Sequence, residues 1–159
     1  MLGLIAAAGL ALSACGFTPM HARSGPAAGL SDIRIETGEE RADFLLQEAL
    51  LDRMAARHAT GPYTLRTQTD QSSLGLGVGA DAIVARFAIR LDVSYALYRE
   101  GAAVPVAQGL VTGQASYDLS NSVYASLVSE QEAEERAAEM AAERVVNQLV
   151  RILDEMDAP

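Results

Sequence analysis

The clearest structural signal in the chain is the stretch Ile83–Leu97, which reads IVARFAIRLDVSYAL. Every odd-numbered position in it is apolar, whereas the even positions include two arginines, an aspartate and a serine. Successive side chains of a β-strand point to opposite faces, so this alternation predicts one long strand with a buried face and a solvent-exposed face. A turn at 99–102 followed by the segment 104–119 predicts its antiparallel hairpin partner.

Two shorter segments with the same alternation, 32–36 and 63–69, predict two further strands. The glycine-rich stretch 70–80 is expected to be a flexible loop, and 120–128 an irregular connection. The predicted sheet therefore has four strands.

Helical spacing predicts one helix over 38–58 and another over 129–156. Each begins with the Ser/Thr-x-x-Glu spacing of a capping box, at residues 37–40 and 129–132. Two helices with four strands in this order indicate an α+β fold. We expect a two-layer sandwich with both helices packed on one face of a four-stranded, mostly antiparallel sheet.

The predicted strand 104–119 has glycines at 109 and 113, which permit a bulge or the close approach of a helix. In the first predicted helix, Phe44, Leu51 and Met54 lie outside the main apolar stripe. They indicate either a wide core face, which we favour, or a partner surface. In the second helix small residues precede bulky ones along the predicted core face: Ala133, Ala137, Met140, Ala141, Val145, Leu149, Ile152 and Met156.

Composition excludes several functions. The 159 residues carry 12 Lys+Arg, all of them arginine, against 21 Asp+Glu, a formal net charge of −9 that argues against binding duplex nucleic acid. One cysteine and two histidines cannot supply a typical zinc site or an intrachain disulfide. No nucleophile–base motif is recognisable, so we expect neither an enzyme nor a cofactor.

The N-terminal segment Met1–Ala14 is apolar and uncharged. It is too short to span a bilayer and is typical of a secretory signal peptide. It ends in Leu-Ser-Ala before Cys15, the pattern of a bacterial lipobox, although an incidental cysteine is the alternative. We expect a signal peptide at 1–14, lipidation of Cys15, a lipid-anchored tether at 15–31 and a folded domain at 32–157.

The segment Cys15–His21, CGFTPMH, resembles the C-G-F-x-P-L-Y opening of the lipopolysaccharide (LPS)-assembly lipoproteins, the LptE family, with Met20 and His21 in place of Leu and Tyr. The order of predicted elements is similar, and 117–125 (YDLSNSVYA) with the acidic helix after it resembles the alphaproteobacterial branch. The resemblance implies a lipoprotein that pairs with a large β-barrel in the outer membrane to form the LPS translocon. It also implies a role as barrel plug and assembly factor that can bind LPS.

Since Gly16 follows Cys15, where inner-membrane retention often uses Asp, we expect the lipid anchor to lie in the outer membrane on its periplasmic side. Arg66, Arg86 and Arg90 fall on the polar faces of predicted strands. They are either solvated arginines paired with Asp92 or its neighbours, or a site for the phosphates of LPS.

Two other functions are consistent with the residues. An auxiliary lipoprotein of a periplasmic lipid ABC transport system would share the anchor and the α/β layout. A periplasmic hydrolase is the weaker alternative, and it would depend on His58, Asp92 or Ser94.

Overall fold

The computed structural model describes residues 26–57, 60–76 and 86–157. The predicted signal peptide, Cys15 and His58 lie outside this part of the chain. A 3-10 helix is followed by two α-helices and four strands, in the chain order Pro26–Asp32 (3-10), β1 Arg34–Glu36, α1 Arg41–Met54, β2 Tyr63–Gly75, β3 Arg86–Arg99, β4 Ala107–Asp118 and α2 Val123–Asp157.

The four strands form one sheet in the order β1-β2-β3-β4. The short β1 pairs parallel with β2, with Ile35 opposite Leu65. The β2–β3 and β3–β4 pairs are antiparallel, and Val93 stands opposite Val111 in the latter. The prediction of a mostly antiparallel sheet is confirmed.

Both helices pack against the face formed by the odd-numbered residues of β3. Leu91, Val93 and Leu97 are buried there, as the alternation predicts, in one apolar core that also contains residues of both helices. The α+β sandwich is therefore confirmed. The helix residues of this core are Ala42, Leu46, Leu50 and Met54 of α1 and Ala133, Ala137, Ala138, Ala141, Ala142, Val145, Leu149 and Leu153 of α2.

The glycines of β4 bring α2 onto the sheet. A Cβ atom on Gly113 would collide with the backbone of Ala137 and would lie 2.9 Å from the amide nitrogen of Ala141. A Cβ on Gly109 would instead meet the ring of Tyr95, at 2.7 Å from Cε1. The predicted close approach of a helix is confirmed at Gly113.

Strand β2 is longer than the sequence predicts. Residues 70–75, expected in a loop, continue the strand, with Asp70 opposite Asp92 and Gly75 opposite Phe87. This polar segment has little strand propensity of its own. Its backbone hydrogen bonds are supplied by the long, strongly alternating β3.

Helix α2 begins at Val123, six residues before the predicted start, so the expected irregular connection is mostly helical. The hydroxyl oxygen of Ser122 accepts a hydrogen bond from the N–H of Ala125 at 3.4 Å. Ser122 thus caps the helix, and the acidic residues from Glu130 onward lie inside it instead of in its first turn. The capping box predicted at 129–132 is wrong.

Helix α1 is shorter than predicted at both ends. Its capping box joins Glu40 and Asp43 instead of residues 37–40, and it ends at Met54, before an Ala55 with φ of 52°. Met54 is buried, in agreement with a wide core face, but Phe44 is 69% exposed.

The exposed face of α2 also differs from the prediction. Met140 and Met156, placed on the core face by spacing alone, are exposed. Ala138 and Ala142 are buried in their place, because α2 packs against α1 as well as the sheet.

The end of the predicted tether belongs to the fold. Leu30, within the 3-10 helix Pro26–Asp32, is only 3% exposed and joins the core cluster. Gly29 lies beside Leu153 near the end of α2.

Candidate functional site: the open face of the sheet

The open face of the sheet is formed by the even-numbered residues of β2, β3 and β4, which point away from both helices. It carries the three arginines singled out from the sequence, and each is held by a carboxylate. Arg86, Arg90 and Arg66 therefore lie on one face, as the alternation predicts.

Arg90 forms a two-pronged ion pair with Asp92 on the same strand. The Nε and Nη2 atoms of Arg90 donate to the two carboxylate oxygens at 2.9 and 3.0 Å. The hydroxyl of Thr112 on β4 donates to the same carboxylate. The Arg90 guanidinium, and after it the Thr112 hydroxyl, hold the pKa of Asp92 below its ordinary value.

Arg86 forms a similar pair across two strands. It stands directly opposite Asp118 of β4 in the register, and its Nε and Nη2 atoms donate to that carboxylate at 2.7 and 3.1 Å. The guanidinium lowers the pKa of Asp118. Opposite charges directly across a ladder are the cross-strand arrangement that stabilises sheets.

Arg66 pairs with Glu36, its register partner on β1, at 2.8 Å. The guanidinium also lies over the ring of Tyr98, 4.8 Å from the ring centroid. This cation–π contact fixes Arg66 on the open face near the β1 edge.

The three arginines share a face but do not form one cluster. Arg86 and Arg90 are four residues apart on β3, roughly 13 Å at the rise of a strand. Arg66 stands opposite Ala96, six residues beyond Arg90 on β3, a separation of roughly 20 Å along the strands. The open face therefore presents three separate ion pairs.

A shallow depression of about 680 Å³ lies near Arg66 on this face. Gln68, Ser94, Gln108 and the 67%-exposed Leu110 line it. Sequence reasoning did not single out the β4 residues of the depression. The signal that could have found them is the register of the β3–β4 hairpin, which places Gln108 beside Ala96.

Of the residues considered for hydrolysis, Asp92 and Ser94 lie in the described part of the chain, and both are engaged in structural contacts. The Ser94 hydroxyl donates to the backbone oxygen of Gln68 at 3.3 Å, and Asp92 is held by Arg90. Across the ranges 26–57, 60–76 and 86–157, no group of three or more His, Cys, Asp or Glu residues is placed to hold a metal ion. Within those same residues, no helix combines the length and apolarity that crossing a bilayer requires.

Comparison with known proteins gives a consistent picture. Residues 30–149 match the LptE family, described as lipopolysaccharide-assembly. No curated protein sequence matches the chain. A solved structure from Caulobacter crescentus CB15, assigned as a lipoprotein, is 28% identical, with a TM-score of 0.74 over 86% of this chain and 100% of the other.

More distant structures share the fold. The rare lipoprotein B of Shewanella oneidensis is 13% identical, with a TM-score of 0.59 over 79% of this chain and 98% of its own. A minor lipoprotein of Acinetobacter baumannii is 14% identical, with a TM-score of 0.61 over 75% of this chain and 90% of its own.

Proposed function

The chain belongs to the LptE lipopolysaccharide-assembly family, and we propose that it is an outer-membrane lipoprotein of LPS transport, anchored through a lipid on Cys15 and facing the periplasm. The observation that carries the proposal is the extent of the family match. Residues 30–149 include all four strands, α1 and most of α2, so the resemblance covers the whole sheet and its helical layer.

We further propose that the protein pairs with a large β-barrel, and that it plugs the barrel and aids its assembly. The open face supports this role because each of its three arginines is paired with a carboxylate. A water-filled barrel lumen is lined by polar side chains, and such a face can contact it without burying an unpaired guanidinium group.

LPS binding on the open face would use Arg86 and Arg90. Both present bidentate guanidinium groups to carboxylates, the exposed Asp118 and the partly exposed Asp92, in the geometry that also suits phosphate. Exposed ion pairs of this kind contribute little stability, so a phosphate group can replace either carboxylate at small cost.

The barrel partnership is tested by affinity purification of a C-terminally tagged protein from detergent-solubilised outer membranes, with bound proteins identified by mass. We expect stoichiometric recovery of one large β-barrel protein. A Cys15→Ser variant should lose membrane attachment and serves as the control. Recovery of inner-membrane transporter subunits would instead support the auxiliary lipoprotein of a lipid ABC transport system.

The LPS site is tested by reversing the charge of Arg86 and Arg90 to glutamate together and measuring binding of purified LPS. We expect a loss of at least about tenfold, because two cationic anchors become repulsive. Arg53→Glu on α1 is the matched control. If the double variant binds LPS as well as the native protein, these arginines are not the site.

A further inference from the structure

Strand β4 is a free edge of the sheet along 12 residues. Arg136 of α2 donates to the backbone oxygen of Ser116 at 3.1 Å, and Arg144 donates to that of Thr112. Backbone groups two residues apart in a strand point the same way. The N–H and C=O groups of the even-numbered β4 residues, including Leu110 and Gln114, therefore point out of the sheet.

Helix α2 runs above this edge and presents a distinctive side-chain stripe to it. The helical spacing places five residues along this line, which we call the edge stripe: Arg136, Met140, Arg144, Asn147 and Arg151. It holds all three arginines of α2 and no carboxylate, although α2 is rich in glutamate elsewhere.

Two of these arginines form no ion pair with the described residues. Arg136 is 3.8 Å from Glu132, which lies one turn before the stripe. Among the ion pairs of the described residues, Arg144 and Arg151 appear in none, whereas the three open-face arginines all have a carboxylate. In a chain of net charge −9, two arginines on one side of α2 thus lack an ion pair, and the first carboxylate beyond them in this line is Glu155, one turn after Arg151.

The stripe and the edge enclose a groove of about 380 Å³. Leu110 and Thr112 form its β4 side, and Arg144, Asn147 and Arg151 form its α2 side. The groove thus combines outward backbone donors and acceptors, an exposed leucine and two guanidinium groups that have no carboxylate partner among the described residues.

We propose that an extended, carboxylate-bearing segment of another protein binds here as a fifth strand beside β4. Its backbone pairs with Leu110, Thr112 and Gln114, the mode of peptide recognition by β-strand addition. Its helix-side carboxylates contact Arg144 and Arg151, and Arg144 releases the Thr112 carbonyl as it turns to the ligand.

The spacing of the two arginines suits such a ligand. Seven residues separate them, about 10 Å along a helix axis. Side chains on the same face of a strand recur about every 7 Å, so acidic residues at alternate positions reach both guanidinium groups.

A second copy of this chain pairing through β4 does not fit the same chemistry. The helix-side positions of β4 are the odd-numbered residues 107–117, and none of them is acidic. Edge-to-edge pairing of two copies would also bring two arginine stripes together.

The test uses the full-length protein in non-ionic detergent and two peptides of roughly ten residues, near the upper end of ordinary strand length. One peptide alternates valine and glutamate, and the other alternates valine and glutamine. We expect the glutamate peptide to bind about tenfold or more tightly than the glutamine peptide, with affinity falling as salt rises. It should also slow hydrogen exchange at the amides of Leu110 and Gln114.

Two variants distinguish the contribution of charge to peptide affinity from the contribution of strand pairing. Arg144→Ala combined with Arg151→Ala should reduce affinity for the glutamate peptide about tenfold, whereas Arg34→Ala at the opposite edge should not change it. Gln114→Pro removes an outward N–H, a change that edge strands tolerate, and should weaken both peptides without changing the melting temperature.

Three results would overturn the proposal. The first is no binding at millimolar peptide. The second is binding that Gln114→Pro leaves intact, since contact would then be ionic alone. The third concerns the double variant Arg144→Ala, Arg151→Ala. If this variant no longer binds anionic vesicles while its affinity for the glutamate peptide is unchanged, the two arginines bind a lipid surface instead of a peptide.

Discussion

The Cα of Gly113 on β4 lies directly against the backbone of Ala137 on α2, so that the strand and the helix touch without an intervening side chain. This contact sets the distance between the two layers along the centre of the domain. It is surrounded by the small residues Ala133 and Ala141, which are fully buried.

Gly113→Ala should therefore destabilise the fold by about 3 kcal/mol, at the upper end of overpacking costs, because the obstacle is rigid helix backbone. Gly109→Ala is the matched comparison. Its new methyl group meets the side chain of Tyr95, which can move, so the loss should be smaller. Urea denaturation of both variants measures the difference, and equal losses would contradict the assigned close contact.

Thr67 and Thr69 lie on the buried face of β2 and should respond oppositely to replacement by valine. The Thr67 hydroxyl is the buried side-chain atom without a hydrogen-bond partner in the described part of the chain. Thr67→Val should thus stabilise the protein by about 1 kcal/mol. The Thr69 hydroxyl donates to the buried Asp43, so Thr69→Val should cost about 2 kcal/mol. Thermal melting of the two variants gives the sign of each change.

Ser122→Ala should unwind the first turns of α2. The N–H of Ala125 loses its acceptor, a change that costs about 1 kcal/mol at a helix N-cap. Amide hydrogen exchange should become faster over 123–128 while the core of α2 stays protected. Ser129→Ala lies inside the helix and should leave exchange unchanged or slower, since alanine is the better helix former. If exchange became faster in Ser129→Ala and not in Ser122→Ala, the N-cap would be Ser129.

The Arg90–Asp92 pair should give an acid-dependent contribution to stability. The pKa of Asp92 is lowered in the folded protein, first by Arg90 and then by Thr112. A lowered carboxyl pKa contributes stability above its ordinary value of about 4, and this contribution is lost as the pH falls through the folded-state pKa. Urea denaturation at several pH values should therefore show that Arg90→Ala is less stable than the native protein near neutrality. The difference in the free energy of unfolding between the two proteins should become smaller as the pH falls. A difference that became larger at low pH would be inconsistent with this ion pair.

The strictly alternating part of the sequence was sufficient to predict the centre of the sheet. In β3 every odd residue from Ile89 to Leu97 is buried as expected, and the layer order follows from it. The extension of β2 through residues 70–75 could not be predicted, because its order comes from pairing with β3 and not from its own polar residues.

The ends of the helices, and the rotation of α2 about its own axis, also cannot be predicted from a single sequence. Both Ser122 and Ser129 can cap a helix, and only the structure shows which one does. Helical spacing predicts that Met140 is in the core, but Met140 is exposed and Ala138 is buried instead. The reason is that α1 packs against α2, and spacing alone does not predict which side of α2 it covers.

The arginines of the candidate site show the same limit. Alternation placed Arg66, Arg86 and Arg90 on one face. Their distances and partners depend on register, which puts Glu36 opposite Arg66 and Asp118 opposite Arg86. A sequence pattern reports the face of a strand but not its neighbours across the sheet.

The burial of Leu30 has a mechanical consequence. A pulling force applied to the chain on the N-terminal side of Pro26 reaches the domain through the 3-10 helix Pro26–Asp32. Before that force can peel β1 from the sheet, it must extract Leu30 from the core beside the last turns of α2. The contact between Leu30 and the core beside α2 therefore bears the force before the three-residue edge strand β1 does.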